Sequence, residues 1–247
     1  MSARVSKDRL FDGFAAIGRA LGSGRRLELV DVLAQGPRSV DQLAAEIGQS
    51  VANTSAHLKV LAAAGLVDSE RAGNRVVYRL AGPAVEELWA SVRATAESHI
   101  AALDALAADY LGDRGELDVV TRADLAARLE RGDPPIVVDV RPVAEFGAGH
   151  IPGAVSAPPD QLGAALARLP RGADVVAYCR GAFCVFADDA VRALRGHEVP
   201  ARRLEDGFPE WRAAGLPVAA GAEGTGTATD ARGGAGNGAG TGAGGNR

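Results

Sequence analysis

The sequence predicts two domains: a mainly helical N-terminal unit that ends in a β-hairpin, and a C-terminal α/β unit built on a parallel sheet. Three observations carry this. Apolar residues first recur at helical spacing and then give way to two short strand-like runs joined by a turn. From Leu117 onward, strand-like and helix-like segments alternate, the pattern of crossover units. The chain of 247 residues also exceeds one ordinary domain, and 11 of its 32 glycines crowd between Gly221 and Gly245.

In chain order, Ala15, Ile17 and Leu21, then Leu27, Leu29, Val30, Val32 and Leu33, mark two helices, the second stopped by Gly36-Pro37. Ser39 suits the cap of a short helix carrying Leu43, Ala44 and Ile47, which Gly48 ends. Ser50 caps the next, with Leu58, Leu61 and Ala62 inward and Gly65 closing it. Leu66–Arg71 and Arg75–Leu80 read as strands around Ala72-Gly73-Asn74. Pro83 opens a helix expected to run unbroken to about Leu111. Trp89, Val92, Ala96, His99, Leu103, Leu106 and Tyr110 fall along it at alternating spacings of 3 and 4, a seam for packing on another helix. On that seam His99 is expected as a core histidine.

Two short helices followed by a hairpin can place the second helix in a DNA major groove, where its first residues reach base edges. Ser50, Asn53, Thr54, Ser55, His57 and Lys59 on or just before that helix, and Arg71, Asn74 and Arg75 at the hairpin tip, are the candidate DNA contacts. Residues 1–95 hold 12 basic and 10 acidic side chains, against a net −4 for the whole chain, so what basic character there is lies at this end. The balance excludes a uniformly basic coat. Leu43-Ala44, Ser55-x-His57-Leu58-x-x-Leu61 and Ala64-Gly65-Leu66-Val67 together resemble the winged helix-turn-helix ArsR family of bacterial repressors, over roughly Leu27 to Leu80. The resemblance implies a homodimer paired through its first and last helices on a palindromic double-stranded operator. Metal sensing, frequent in that family, needs clustered thiolates or histidines. No cysteine precedes Cys179, and the corresponding stretch reads Ser39-Val40-Asp41-Gln42, so no metal site is expected.

Gly112–Gly115 reads as the core of a linker over 112–116, with the domains at 1–111 and 117–218. Ile136–Val140 and Asp174–Cys179 are buried-strand runs, with helical stretches at Leu125–Leu129, Leu162–Leu169 and Val185–Leu194. From Ala219 to 247 the chain is Gly, Ala and Thr with little apolar bulk, and a disordered tail is expected. The strand at 175–178 delivers Cys179 into the loop Cys179-Arg180-Gly181-Ala182-Phe183-Cys184 just before a helix, where strand ends and helix starts gather anions. A sulfur there, with Arg180 beside it, is expected to ionise easily.

This half resembles the rhodanese family of sulfurtransferases. The likeness runs from about Leu117 to Val218 and rests on Asp139-Val140-Arg141, Glu145-Phe146 and Gly149-His150-Ile151-Pro152-Gly153-Ala154, on Tyr178-Cys179-Arg180-Gly181, and on Leu204-x-x-Gly207-Phe208-x-x-Trp211 with Gly215-x-Pro217-Val218. It implies attack of Cys179 on a small sulfur donor, thiosulfate or polysulfide, with the persulfide passed to a thiol or cyanide. Arg180 and Cys184 join Cys179 as candidate catalytic residues; Gly181, Ala182, Phe183, Asp139 and Arg141 form the expected substrate loop, with Asp139 and Arg141 in a supporting role. Rhodaneses commonly carry Arg or Lys five residues after the nucleophile; here Cys184 stands there, which argues for slow thiosulfate turnover. Cys184 is either a resolving thiol or a small buried hydrophobe at the helix start. The first twenty residues lack the apolar core of a signal peptide and no run is long enough to span a bilayer, so a reducing cytoplasm is expected. Two functions follow as expectations: a regulator that senses reactive sulfur or redox state through a Cys179 persulfide, or a sulfurtransferase whose DNA binding is independent of sulfur. No cofactor is expected.

Overall fold

The computed structural model describes residues 3–115, 117–170 and 172–221. The N-terminal unit runs α1 (Ala3–Leu21), α2 (Gly24–Ala34), β1 (Arg38–Ser39), α3 (Val40–Glu46), α4 (Val51–Ala63), β2 (Val67–Ala72), β3 (Arg75–Leu80), α5 (Pro83–His99) and α6 (Leu103–Leu111). Ser39 caps α3 in a reciprocal box with Gln42, each satisfying an amide that the first turn leaves open. Leu29, Leu33, Leu43, Leu58 and Leu61 then pack α2, α3 and α4 on one another, and Leu66, Val67 and Leu80 seal the hairpin beneath them. The three-stranded sheet has the order β1-β3-β2, antiparallel throughout, so β2 and β3 form the wing.

The helix expected over 83–111 is broken. Ile100 adopts an extended backbone at φ −106° and ψ 90°, and α6 starts afresh three residues later. Beyond the turn, Leu103 and Leu106 line the same cavity as Phe183 and Phe186 of the C-terminal unit. His99 is exposed rather than in a core, its ring nitrogen 3.0 Å from the Thr95 carbonyl oxygen.

The C-terminal unit follows as β4 (Val119–Val120), α7 (Arg122–Glu130), β5 (Ile136–Asp139), α8 (Val143–Ala148), β6 (Val155–Ser156), α9 (Leu162–Leu166), β7 (Val175–Tyr178), α10 (Phe186–Gly196), β8 (Ala201–Leu204) and α11 (Phe208–Ala213). Every pairing in its five-stranded sheet is parallel, in the order β4-β8-β7-β5-β6. The central strand β7 is buried on both faces: Val175 and Ala177 join the core under α10, while Val176 and Tyr178 join that of Phe146, Phe208 and Trp211. A strand covered on both sides reads as an unbroken apolar run. Beyond β8 the expected tail boundary moves. Ala219 pairs with His150 through both backbone bonds (2.8 and 3.0 Å), and the Gly221 amide donates to Gly147, so the chain stays attached to the domain through residue 221. The rest of the expected tail, 222–247, lies outside the described residues.

Among the described residues, no helix is long and apolar enough to cross a membrane.

Candidate functional site

Cys179 leaves the carboxyl end of β7 and enters a loop that closes on α10. The loop is held from three sides. Behind it, the Phe208 amide donates to the Cys179 carbonyl (3.1 Å), and Gly207 lies so close that a Cβ there would overlap the Arg180–Gly181 peptide. Below it, Arg114, in the segment expected as a plain linker, donates to the Ala182 and Cys184 carbonyls (2.6 and 3.1 Å) and pairs with buried Asp188 of α10. In front, the N-terminal unit closes over it.

That front contact is built from specific side chains. Gln35, fully buried after α2, donates its amide to the Arg180 carbonyl (3.2 Å) and accepts from Arg141 (3.5 Å). The Arg180 guanidinium spans the two units, bound to Glu145 of α8 (2.6 and 2.9 Å) and paired with Glu46 at the end of α3. Arg38 of β1 also pairs with Glu145. Arg93 of α5 pairs with Glu210 of α11, whose other oxygen accepts from the Gly207 amide (3.0 Å). Gly36, at φ +146°, brings its backbone against Ala148, where a Cβ would clash. Burial pulls the Arg180 acidity the other way, but the hydrogen bonds and charges of Glu145 and Glu46 outweigh it and hold the guanidinium firmly charged.

The two thiols share this setting unequally. Cys179 is 2% exposed, and burial followed by its contact with Cys184 pushes its thiol well above the ordinary range. The expected easy ionisation of Cys179 is thus reversed, because burial disfavours its charged form and Arg180 is turned to carboxylates. Cys184 is half-buried, and its pKa falls to about 7: the neighbouring Cys179 thiol, and after it the backbone amides of Arg180 and Phe186, favour its charged form against the opposing effect of burial. Backbone amides reach both sulfurs, those of Gly181 and Ala187 acting on Cys179 and those of Arg180 and Phe186 on Cys184. A cavity of about 630 Å³ lies between α2, α5, α6 and the loop; Gly181, Phe183 and Cys184 line it, and Cys179 does not.

The remaining expected site residues divide. Asp139 and Arg141 are completely buried and their side chains are joined by three hydrogen bonds (2.6, 3.0 and 3.2 Å); Tyr178 donates to Asp139 (2.6 Å) and Arg141 to the Gly149 carbonyl (2.7 Å). They brace the β5 and β7 ends from within and do not line the cavity. His150 is buried with its ring stacked 3.7 Å from that of Phe146, fastening a turn. On α4, Asn53 and Lys59 are exposed, and Ser55 and His57 half-buried. Ser50 caps the helix by accepting from the Asn53 amide (3.2 Å). Thr54 departs from expectation: it is fully buried, with its hydroxyl donating to the Ser50 carbonyl (3.0 Å), and offers nothing to a groove. Arg71, Asn74 and Arg75 stand exposed at the wing tip.

Sequence reasoning missed Gln35, Glu46, Arg93 and Arg114, whose partners lie 68 to 145 positions away. No local spacing could have signalled them. Glu145 and Gly207 fell within quoted motifs without an assigned role.

Residues 23–69 match the model of the bacterial regulatory protein, arsR family, and residues 121–214 that of the rhodanese-like domain. The chain is 47% identical over 216 residues to the HTH-type transcriptional regulator Rv0324 of Mycobacterium tuberculosis, covering 87% of this chain and 94% of that one. A protein of Allochromatium vinosum named sulfurtransferase is 30% identical over 96 residues, 39% of this chain and 89% of its own length. Among solved structures, the homodimeric winged helix-turn-helix DNA-binding domain (fragment 1–100) of Mb0332 from Mycobacterium bovis is 42% identical, covering 40% of this chain and 91% of that one, with a TM-score of 0.38.

Proposed function

The chain belongs to the arsR family of bacterial regulatory proteins, with a rhodanese-like domain following, and we propose that sulfur held on its loop controls its DNA binding. The chain is a transcriptional regulator. In the proposed reading it binds a palindromic operator as a homodimer, through Asn53, Ser55, His57 and Lys59 of α4 and Arg71, Asn74 and Arg75 of the wing. The exposed Leu10, Phe11 and Phe14 of α1 and Leu106 and Tyr110 of α6 are the apolar surface that pairing would cover. The loop takes sulfane sulfur from a small donor such as polysulfide and keeps it as a persulfide on Cys179.

One observation carries this reading: Arg180, the residue next to Cys179, is bound through its carbonyl to Gln35 and through its guanidinium to Glu46. Glu46 ends the helix that braces α4. A sulfur atom added to a side chain that is 2% exposed has to be accommodated among close-packed neighbours, and in this reading it moves the loop. The two sulfur states then differ in their contacts with α3, which a coupling between sites requires.

The test is operator binding by the purified protein before and after polysulfide, in wild type and Cys179→Ser. Treatment should weaken the wild type by about tenfold, within the usual range of coupling energies, and leave the variant unchanged. Equal responses sink the coupling. A wild type that ignores polysulfide while transferring sulfur favours the second reading, a sulfurtransferase uncoupled from DNA, which the likeness to the Allochromatium protein supports.

A further inference from the structure

We infer that Cys184, not Cys179, is the thiol that meets the sulfur donor, and that the cavity between the two units admits a neutral hydropersulfide with an apolar body. This rests on the proposed sulfur chemistry of the loop and adds its order and its substrate class. Cys184 lines the cavity, whereas Cys179 lies behind it in the core. Leu27, Trp89, Leu103, Leu106, Phe183 and Phe186 make the walls apolar. The charged groups there offer little to a dianion. Arg93 is paired with Glu210, Arg180 with Glu145 and Glu46, and Asp31 accepts from the Trp89 indole N–H (2.8 Å) while burial raises its pKa. Thiosulfate would find carboxylates and committed arginines; an alkyl or aryl hydropersulfide would find hydrocarbon.

The sequence of steps balances without an outside oxidant. The Cys184 thiolate attacks the outer sulfur of R–S–SH; a Cys184–sulfur bond forms, the donor S–S bond breaks, and the electron pair leaves on RS⁻. Cys184 now carries –S–SH. Cys179 attacks that outer sulfur in turn, its proton passing to the departing Cys184 sulfur, which leaves Cys179–S–SH and a free Cys184 thiol. Proximity supports the second step, since the Cys179 sulfur lies 3.7 Å from the carbonyl oxygen of Cys184 itself. The inert, buried sulfur is thus loaded by its reactive neighbour.

Trypsin cuts after Arg180 and separates the two cysteines, so mass spectrometry reads each one. Full-length protein is treated with benzyl hydropersulfide and quenched over time. One added sulfur should appear first on the Cys184 peptide and then on that of Cys179. Cys184→Ser should slow loading of Cys179 at least about tenfold, and thiosulfate should load wild type at least about tenfold more slowly than the benzyl donor. Ala96→Phe narrows the cavity wall and should slow loading of both cysteines, its unaltered operator binding before treatment showing that the fold stands. Sulfur appearing first on Cys179, or undiminished loading in Cys184→Ser, overturns the relay; equal rates for thiosulfate, or for Ala96→Phe, overturn the apolar route. None of these readouts involves a response of DNA binding to sulfur, so failure here is distinguishable from failure of the coupling.

Discussion

Cys184 owes its chemistry to what surrounds it. A free thiol is mostly protonated at neutral pH, whereas here the neighbouring Cys179 thiol and the loop amides bring the pKa to about 7. The group is an acid whose charged form is favoured, so the thiolate, and with it reactivity, increases as pH rises through that value. Alkylation of Cys184 by iodoacetamide should therefore speed up roughly tenfold from about pH 6 to about pH 8 and then level off. Cys179 should lag throughout, because burial opposes its ionisation. A Cys184 profile still climbing steeply above about pH 8 would show that the shift is absent. Two features of this residue scale were in reach of sequence: that the loop bears two thiols, and that one sits where a cation was expected. Which of them ionises was not, because it depends on burial and on the direction in which Arg180 turns.

At the scale of elements, one of the links between the units is a side chain spanning α3, α8 and the loop. Glu46 and Glu145 grip Arg180 from opposite units. With its partners in place the pair is only partly exposed, so solvent screening weakens it less than an ordinary surface bridge. Glu46→Gln removes the charge from α3 and leaves the Glu145 contact. Should sulfur control DNA binding by this route, the variant's operator affinity should differ by less than about threefold between polysulfide-treated and untreated protein, where wild type changes about tenfold. A full response in Glu46→Gln would move the coupling to Gln35 or Arg93. Helix boundaries show the same division of causes. Ser39 and Ser50 cap α3 and α4 as their sequence positions demand, while the turn at Ile100 has no glycine or proline behind it to mark it in the sequence.

Across the whole molecule, the C-terminal unit is closed by its last described residues. The antiparallel bridge between His150 and Ala219 and the Gly221–Gly147 bond fasten the chain end beside α8. A chain ended after Val218 should unfold at a lower temperature than one ended after Gly221, by the equivalent of about 1–3 kcal/mol for three backbone hydrogen bonds at an edge. Identical melting would show that these bonds contribute nothing. The same closure stations α8, and with it Glu145, against the N-terminal unit.

What the sequence determined by itself was whatever depends on near neighbours. Caps, glycine stops, the two-sided apolar run of β7 and the cysteine loop before α10 are set by residues a few positions apart, and two quoted motif sets sufficed to identify both halves. The tertiary structure alone decided the rest: that Thr54 turns inward, that α5 breaks at Ile100, that Arg114 grips the loop, and that Cys184 rather than Cys179 faces the cavity. Burial and charge pairing are properties of positions brought together from far along the chain, and neither leaves a period or a spacing to be read beforehand.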